Sequence, residues 1–320
     1  MSLIEQAAKR LEQLRQAGVQ LPDEDAGTQN SAASTAMAGT TKPEAIAKVS
    51  QPTVPRNESE VETALHPSVA SGNHIELNMD AIAASGLLVP NATRSLLANE
   101  FRVIKRPLIA NAIGRGAASV ADGKLIMVTS ALPGEGKSFT AVNLAISIAM
   151  ELDNSVMLVD ADVARPSVLN MLGLQPAKGL LDVLGSNSVD ISSVLLSTNI
   201  EKLSILPCGT RHDRATELLA SDAMIQLLQD ISIRYPDRIV IFDSPPLLLT
   251  TEARVLATHM GQIVMVVQAG NTTQAAVNEA LATVDACPVK MMVLNQARQS
   301  ASERYGYGYG YGYGYGHETQ

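Results

Sequence analysis

Aromatic residues are scarce in this chain of 320 residues, which has no tryptophan, three phenylalanines and seven tyrosines, together 3% of the sequence. A folded core must therefore be built from aliphatic side chains. Hydrophobic residues make up 46% of the chain, which is enough for a core of considerable size. The length predicts one or two domains.

Cysteine is also rare, with only Cys208 and Cys287 present. Two cysteines are too few for a disulfide framework, and neither lies near a histidine or a second cysteine at a spacing typical of metal sites. We expect buried, reduced thiols and a cytoplasmic protein.

The chain lacks both an excess of positive charge and long apolar runs. Its formal net charge of −8 argues against a nucleic-acid partner, which normally requires a basic surface. No run approaches the ~20 apolar residues of a transmembrane segment, and the polar residues 1–20 have no hydrophobic stretch typical of a signal peptide. We expect no transmembrane segment, although the protein could dock on a membrane partner.

The composition changes along the chain and divides it into segments. Residues 1–18 predict a short amphipathic helix, which needs a surface to lie against, either on its own domain or on another protein. Residues 19–74 contain few large apolar side chains and are expected to form a disordered linker. Residues 75–124 are predicted to be a helical segment that leads into a larger folded domain at 125–300. Residues 301–320 are expected to be a flexible tail.

Within the lead-in segment, a helix is predicted over 91–106, just after a proline. Arg102, Lys105 and Arg106 lie off its apolar face, and could be a solvated surface or a contact surface. Pro107 is expected to kink or end this helix.

Residues 125–300 alternate short apolar strands with amphipathic helices. This alternation predicts an α/β fold of the P-loop NTPase type, with a largely parallel sheet covered by helices on both faces. The expected strands are 125–129, 156–160, 203–206, 239–243, 263–267 and 290–294, and the expected helices are 137–151, 167–172, 215–234, 251–259 and 273–285.

The first of these units carries a nucleotide-binding pattern. An apolar run from Leu125 leads into a Gly/Pro turn, then Gly-Lys-Ser and a helix, as in a phosphate-binding loop. Lys137 would neutralise the β- and γ-phosphates of ATP, and the Ser138 hydroxyl would bind Mg²⁺. The strict pattern has glycine where this chain has Ala131. The residues expected to contact the nucleotide are Pro133, Gly134, Glu135, Gly136, Lys137, Ser138 and Phe139.

Polar side chains follow the later strands at the same edge of the predicted sheet. Asp160 and Asp162 end the second strand and Asp243 ends the fourth, where Mg²⁺ and a phosphoryl acceptor need carboxylates. We expect Asp160 and Asp162 to face one side of an extended chain, so that one binds metal and the other receives a hydroxyl proton. Capping or turn aspartates are the alternative. Asn295 could contact the base of the nucleotide or simply form a turn.

The C-terminus repeats Tyr-Gly, which maximises chain entropy and leaves nothing to bury. Such a tail suits a substrate that must enter an active site, although a low-complexity linker or adhesive segment is the alternative. The expected phosphate acceptors are Tyr305, Tyr307, Tyr309, Tyr311, Tyr313 and Tyr315.

Together these motifs resemble those of the bacterial tyrosine kinases of exopolysaccharide synthesis, most closely the soluble, exosortase-associated variety. The resemblance covers about residues 90–320 and rests on the loop at 129–138, on Leu158-Val-Asp-Ala-Asp-Val-Ala-Arg-Pro, on Phe242-Asp-Ser-Pro-Pro and on the tyrosine-rich end. It implies protein-tyrosine autophosphorylation with ATP and Mg²⁺. By position, Lys137, Asp160, Asp162 and Asp243 match the family's catalytic residues, and Ser138, Asp160 and Asp243 its metal ligands.

The resemblance also implies partners. Many relatives are activated by a membrane polysaccharide co-polymerase, which here would be a separate protein that recruits the kinase peripherally to the inner membrane. Self-assembly with phosphorylation between subunits is implied too, although the family's Glu-x-x-Arg-x-x-Arg motif aligns only with Asn99, Arg102 and Lys105. The family also usually has arginine at the position of Ala164.

Two other functions compete with the kinase. A partitioning or site-selecting ATPase of the same fold would have a signature lysine where this chain has Leu132. A scaffold with a vestigial ATPase would fit if Ala131 and Ala164 abolish catalysis.

Overall fold

The fold is seen in a computed structural model that describes residues 73–91, 95–116, 119–186 and 188–297. The predicted N-terminal helix, most of the predicted linker and the Tyr-Gly tail lie outside these residues.

Eight strands form a single sheet in the described part of the chain, in the order β1-β4-β5-β3-β6-β2-β7-β8. All neighbouring pairs are parallel except β4 and β5. The strands are β1 (Asn73–Ile75), β2 (Leu125–Ser130), β3 (Ser155–Asp160), β4 (Leu196–Thr198), β5 (Leu203–Leu206), β6 (Arg238–Asp243), β7 (Gln262–Gln268) and β8 (Val289–Asn295).

Helices cover both faces of the sheet, because its central strands are apolar on both sides. The first four helices pack on one face with Ile126 and Val128, and the other six pack on the opposite face with Met127 and Phe242. The helices are α1 (Met79–Ala84), α2 (Leu96–Ala112), α3 (Lys137–Ala149), α4 (Val168–Met171), α5 (Leu180–Gly185), α6 (Ile191–Val194), α7 (Ala215–Leu219), α8 (Asp222–Arg234), α9 (Thr251–Ala257) and α10 (Gln274–Ala282).

The six predicted strands are confirmed to within two residues at each end, and so is the parallel sheet between two helical layers. The helix predicted over 215–234 is two helices, α7 and α8, separated by Ala220 and Ser221. The short strands β1 and β4 were not predicted, because three-residue segments have too little periodicity to detect. Among the described residues, no helix combines the length and the hydropathy needed to cross a bilayer.

Helix α2 departs from its prediction in two ways. It starts at Leu96 and continues through Pro107 to Ala112, so the proline does not end it. Lys105, predicted to lie off the packed face, is only 5% exposed. Its Nζ donates to the Ser147 carbonyl oxygen at 2.5 Å and lies 2.7 Å from Glu151 Oε1.

This lysine joins α2 to the C-terminal end of α3, the helix that follows the phosphate-binding loop. A cation is favourable at a helix C-terminus, where carbonyl groups lack partners within the helix. The long methylene stem of lysine can be buried while its ammonium group satisfies those carbonyls. Polar contacts therefore fix α2 beside the nucleotide-binding unit, in addition to apolar packing.

Replacing Lys105 with methionine should destabilise the protein by about 1–3 kcal/mol, because the Ser147 carbonyl and the Glu151 carboxylate would lose their partner. The exposed neighbour Arg106 provides the matched control, and Arg106→Met should change the free energy of unfolding by no more than about 0.5 kcal/mol. Urea denaturation of the two variants measures the difference. Equal stabilities would show that the Lys105 contacts add nothing.

Candidate active site

The loop between β2 and α3 has the conformation of a phosphate-binding loop. Gly134 and Gly136 have φ angles of 84° and 94°, in the left-handed region that favours glycine. Helix α3 begins immediately afterwards, at Lys137, and has no side-chain cap. Its first N–H groups, which have no partner within the helix, are thus available to an anion.

Ala131, the departure from the strict motif, fits the fold without strain. Its φ is not positive, and its side chain is fully buried in the apolar cluster that contains Met127 and Phe242. The first glycine of the motif is therefore not required by the backbone here.

The contact of Glu135 with a nucleotide stays a prediction, and the side chain of this residue is held within the protein. Its carboxylate is 1% exposed and accepts hydrogen bonds from the Leu132 N–H at 2.6 Å and from the Thr272 hydroxyl. The Gln268 N–H donates to the same carboxylate at 3.4 Å. The side chain thus ties the phosphate-binding loop to the loop that follows β7.

The end of β8 holds the other side of the phosphate-binding loop. Asn295 Nδ2 donates to the Glu135 carbonyl oxygen at 2.9 Å, and Gln296 Nε2 donates to the Gly134 carbonyl oxygen at 3.1 Å. A Cβ on Gly136 would lie 2.1 Å from Asn295 Nδ2, so this position also needs glycine for lack of space. Asn295 therefore supports the loop, and its contact with the base stays a prediction.

These contacts could not be predicted from the sequence. In each of these hydrogen bonds, the donor and the acceptor lie more than 130 residues apart in the sequence.

The sheet register brings the predicted carboxylates together. Asp160 and Asp243 are paired residues on the adjacent strands β3 and β6, and both lie at the strand ends. Lys137 Nζ is 2.5 Å from Asp162 Oδ2 and 3.9 Å from Asp243 Oδ1. One lysine and three carboxylates from three separate segments thus form a single cluster next to Ser138, whose hydroxyl is 3.2 Å from the same Nζ.

Asp160 and Asp162 have different hydrogen-bond partners. Strand β3 ends at Asp160, so Asp162 lies just beyond the strand. Asp160 Oδ2 accepts from the N–H groups of Ser167 and Val168 at 3.1 and 3.0 Å, whereas Asp162 Oδ1 accepts from the Arg165 N–H at 3.0 Å. The turn after β3 keeps both carboxylates at the site by these backbone contacts.

Burial makes the ionised carboxylates costly. Burial, and secondarily the charge of Asp243, raises the pKa of Asp160 to about 7. Burial likewise raises the pKa of Asp243 to about 6, although the Lys137 ammonium opposes this change. Both groups therefore favour the protonated state more than ordinary aspartates do.

Several buried oxygens of this cluster have no hydrogen-bond partner. They are Asp160 Oδ1, both carboxylate oxygens of Asp243 and the Ser167 hydroxyl. Oxygen ligands of this kind suit Mg²⁺, which usually takes only one or two carboxylates from a protein and completes its shell with phosphates and water. The described residues contain no group of three or more His, Cys, Asp or Glu side chains arranged as a complete metal site. The residues present thus fit a magnesium ion that arrives with a nucleotide.

Comparison with known proteins agrees with this geometry. A family model described as ParA, NUBPL iron-transfer P-loop NTPase, matches residues 123–296. Tyrosine-protein kinase YwqD of Bacillus subtilis is 34% identical over 218 residues, which are 67% of this chain and 86% of YwqD. Tyrosine-protein kinase wzc of Salmonella typhimurium is 30% identical over 190 residues, and the match spans 58% of this chain but only 26% of wzc.

Among solved structures, the kinase domain of Escherichia coli tyrosine kinase ETK is similar, with a TM-score of 0.55 and 25% identity. The similarity covers 73% of this chain and 86% of the ETK domain. The two sequence relatives and the ETK domain are thus all named as tyrosine kinases.

Neutral replacements of the buried carboxylates should stabilise the protein in the absence of nucleotide. Each raised pKa means that the ionised form is disfavoured in the folded state. The free energy of unfolding therefore falls as the pH rises from the pKa of the unfolded state, near 3.8, to the pKa of the folded state, which is about 7 for Asp160 and about 6 for Asp243. Asp160→Asn removes this penalty and keeps an oxygen for the Ser167 and Val168 N–H groups. Asp243→Asn removes it for the second carboxylate.

We expect the melting temperature of each variant at pH 8, without nucleotide, to rise by roughly 2–8 °C. At pH 4.5 the gain should shrink, because the wild-type carboxylates are then largely protonated. Differential scanning calorimetry at the two pH values measures the effect. A lower melting temperature at pH 8 would contradict an electrostatic penalty at these positions.

Proposed function

The chain belongs to the ParA-type P-loop NTPases and, among them, to the bacterial tyrosine kinases, and from this premise we propose that it phosphorylates its own C-terminal tyrosine cluster with ATP. The observation that carries the proposal is the convergence of Lys137 with Asp160, Asp162 and Asp243 beside a phosphate-binding loop. A binding switch needs the loop, whereas phosphoryl transfer to a hydroxyl also needs a carboxylate that can accept a proton.

In the proposed reaction, the loop N–H groups and Lys137 hold the β- and γ-phosphates. The tyrosine oxygen attacks the γ-phosphorus, the bond from this phosphorus to the bridging β–γ oxygen breaks, and ADP leaves with that oxygen. Asp160 accepts the tyrosine proton, because its pKa of about 7 is suited to proton transfer near neutral pH and its Oδ1 has no other partner. Ser138 and Asp243 would hold Mg²⁺, which when bound neutralises charge on the phosphates. Asp162 keeps Lys137 in position.

The lysine gives the most direct test. Lys137→Met should abolish phosphotyrosine formation, because the phosphates lose the cation that neutralises them. Lys178→Met, which removes an exposed lysine that forms no ion pair with Asp160, Asp162 or Asp243, should leave phosphotyrosine formation at the wild-type level. The purified proteins are incubated with Mg-ATP and blotted for phosphotyrosine, and circular dichroism verifies that both are folded. Autophosphorylation of the Lys137 variant at the wild-type rate would refute the kinase assignment.

We further propose that the tail is a substrate in trans. Residues 298–315, extended at ~3.3 Å per residue, reach roughly 50–60 Å, enough to enter the active site of a neighbouring subunit. Phosphorylating all six tail tyrosines adds about −9 to −12 charges at every second residue. These phosphates repel each other and any acidic neighbour. The unmodified tail would thus hold subunits together, and the modified tail would be released.

Mixing two variants tests this idea. Lys137→Met protein, which cannot phosphorylate itself, is combined with active protein whose six tail tyrosines are replaced by phenylalanine. We expect phosphate on the former and a smaller assembly, measured by light scattering, when wild-type protein has been phosphorylated. Absence of transfer between the two chains would reject phosphorylation in trans. An unchanged or larger assembly after phosphorylation would reject the switch.

The relatives suggest the cellular setting. We propose that the kinase regulates exopolysaccharide synthesis or export, and that a separate membrane co-polymerase recruits it to the inner membrane and activates it. Lys105, one of the residues aligned with the family's assembly motif, is engaged within its own chain by Ser147 and Glu151. Lys105 would therefore have to give up these contacts to bind a second subunit.

A ParA-type ATPase switch is the second candidate, because the matched family model carries that description. Such a protein would hydrolyse ATP without forming phosphotyrosine, so the blot described above separates the two functions. The alternative of a non-catalytic scaffold predicts neither product.

A further inference from the structure

Two exposed arginines lie at the edge of the site, and the proposed reaction uses neither. Arg165 follows Asp162 by three residues, and Arg211 Nη2 donates to the Ala164 carbonyl oxygen at 3.3 Å. Among the described residues, no carboxylate forms an ion pair with either guanidinium group. In this part of the chain, neither cation is thus neutralised by a carboxylate of the site.

The backbone that carries Arg211 is firmly held. The N–H groups of Leu180 and Leu181 donate to the carbonyl oxygens of Pro207 and Cys208 at 2.8 and 2.9 Å. Asp182 Oδ2 accepts from the Thr210 N–H at 2.9 Å, directly before the arginine. Arg211 therefore projects from a fixed point over the turn that follows Asp162.

An exposed arginine pair next to a phosphoryl-transfer site suits a doubly charged phosphate. Planar guanidinium groups bind phosphate oxygens through paired N–H donors, and these charge-assisted bonds are stronger than neutral ones. Two sources of phosphate exist here. One is the nucleotide, which Lys137 and the loop N–H groups already serve, and the other is a tyrosine that has been phosphorylated earlier.

We propose that Arg165 and Arg211 form a subsite for a phosphotyrosine of the tail, next to the position of the tyrosine that reacts. This inference rests on the proposed function, in which the tail is the substrate. A tail with one phosphate would then be a better substrate than an unmodified tail.

The spacing of the tail supports this arrangement. Successive tail tyrosines are two residues apart, so in an extended chain their rings lie on one face and about 7 Å from each other. Arg211 contacts a residue only two positions beyond Asp162, so its guanidinium group lies within roughly 10 Å of that carboxylate. A phosphate on one tyrosine can thus reach the arginines while the next tyrosine is at the site.

Short peptides test the subsite in the full-length protein whose six tail tyrosines are replaced by phenylalanine. Three peptides of Gly-rich sequence contain one acceptor tyrosine each. The first has phosphotyrosine two residues from the acceptor, the second has phenylalanine there, and the third has phosphotyrosine five residues away. We expect kcat/KM for the first peptide to exceed that of the other two by about 10-fold, as one charge-assisted hydrogen bond can provide.

Arg211→Ala should reduce this preference to about one, and Arg165→Ala should reduce it too. Arg214→Ala is the matched control, because Arg214 is an exposed arginine of the same loop with no contact to Ala164. It should retain the full preference. Arg211→Lys should keep part of it, because charge remains but the paired donors are lost.

The outcomes separate the inference from the function on which it rests. Equal phosphorylation of all three peptides by the parent protein would overturn the subsite and leave the kinase assignment intact. A preference that Arg211→Ala does not change, or a loss of rate that is the same for every peptide, would also overturn it, the latter by assigning the arginine to ATP. Phosphorylation of none of the peptides would overturn both the subsite and the tail as substrate.

Discussion

Burial of three carboxylates in one cluster is the constraint around which this site is built. Parallel pairing of β3 and β6 places Asp160 directly opposite Asp243, and the turn after β3 adds Asp162. In the described part of the chain, Lys137 is the cation that lies within 4.0 Å of two of these groups, and burial raises the pKa of Asp160 and that of Asp243. The fold maintains this arrangement because the apolar strands on either side bury large areas that offset a local electrostatic cost. The proposed function depends on this electrostatic cost, because carboxylate oxygens without a hydrogen-bond partner are available to bind a metal ion or a proton.

The phosphate-binding loop illustrates how a fold can fix a flexible, glycine-containing segment. The loop cannot be held by its own side chains on the side that faces phosphate, because the N–H groups there must remain free. The contacts that hold the loop therefore lie on the side away from the phosphate. Glu135 is turned inward to Thr272, and Asn295 and Gln296 bind loop carbonyls. Carbonyl oxygens directed away from the nucleotide leave the N–H groups directed toward it, because the C=O and the N–H of one planar trans peptide unit point in opposite directions.

The sequence predicted the parts of this protein that depend on local pattern. The strands around Val128 and Ile241 are apolar runs between turn residues, and the loop before Lys137 has a spacing that few other structures require. The partners of Lys105 and Glu135 could not be predicted, because both depend on which distant backbone groups lack a hydrogen bond in the folded state. An isolated lysine on a helix reads as solvated until the neighbouring helix is known to end beside it.

At Ala131 the sequence motif suggested a departure that the structure accommodates without strain. The motif favours glycine, but the structure places a buried methyl group there with a backbone that any residue can adopt.

The charges of the site determine what it can accept. The site region has as many cations as carboxylates, namely Lys137, Arg165 and Arg211 against Asp160, Asp162 and Asp243. The whole chain, in contrast, carries a net charge of −8. The negative and positive charges lie at different depths, because the carboxylates are buried whereas the arginines are exposed. In our proposal, the net negative charge of the protein opposes the approach of a phosphorylated tail, whereas the two exposed arginines attract it locally. Long-range repulsion is screened beyond about 10 Å at 0.1 M salt, whereas direct contact with a guanidinium group persists. The same phosphate can therefore weaken the contact between subunits and still be recognised at the site where the next tyrosine reacts.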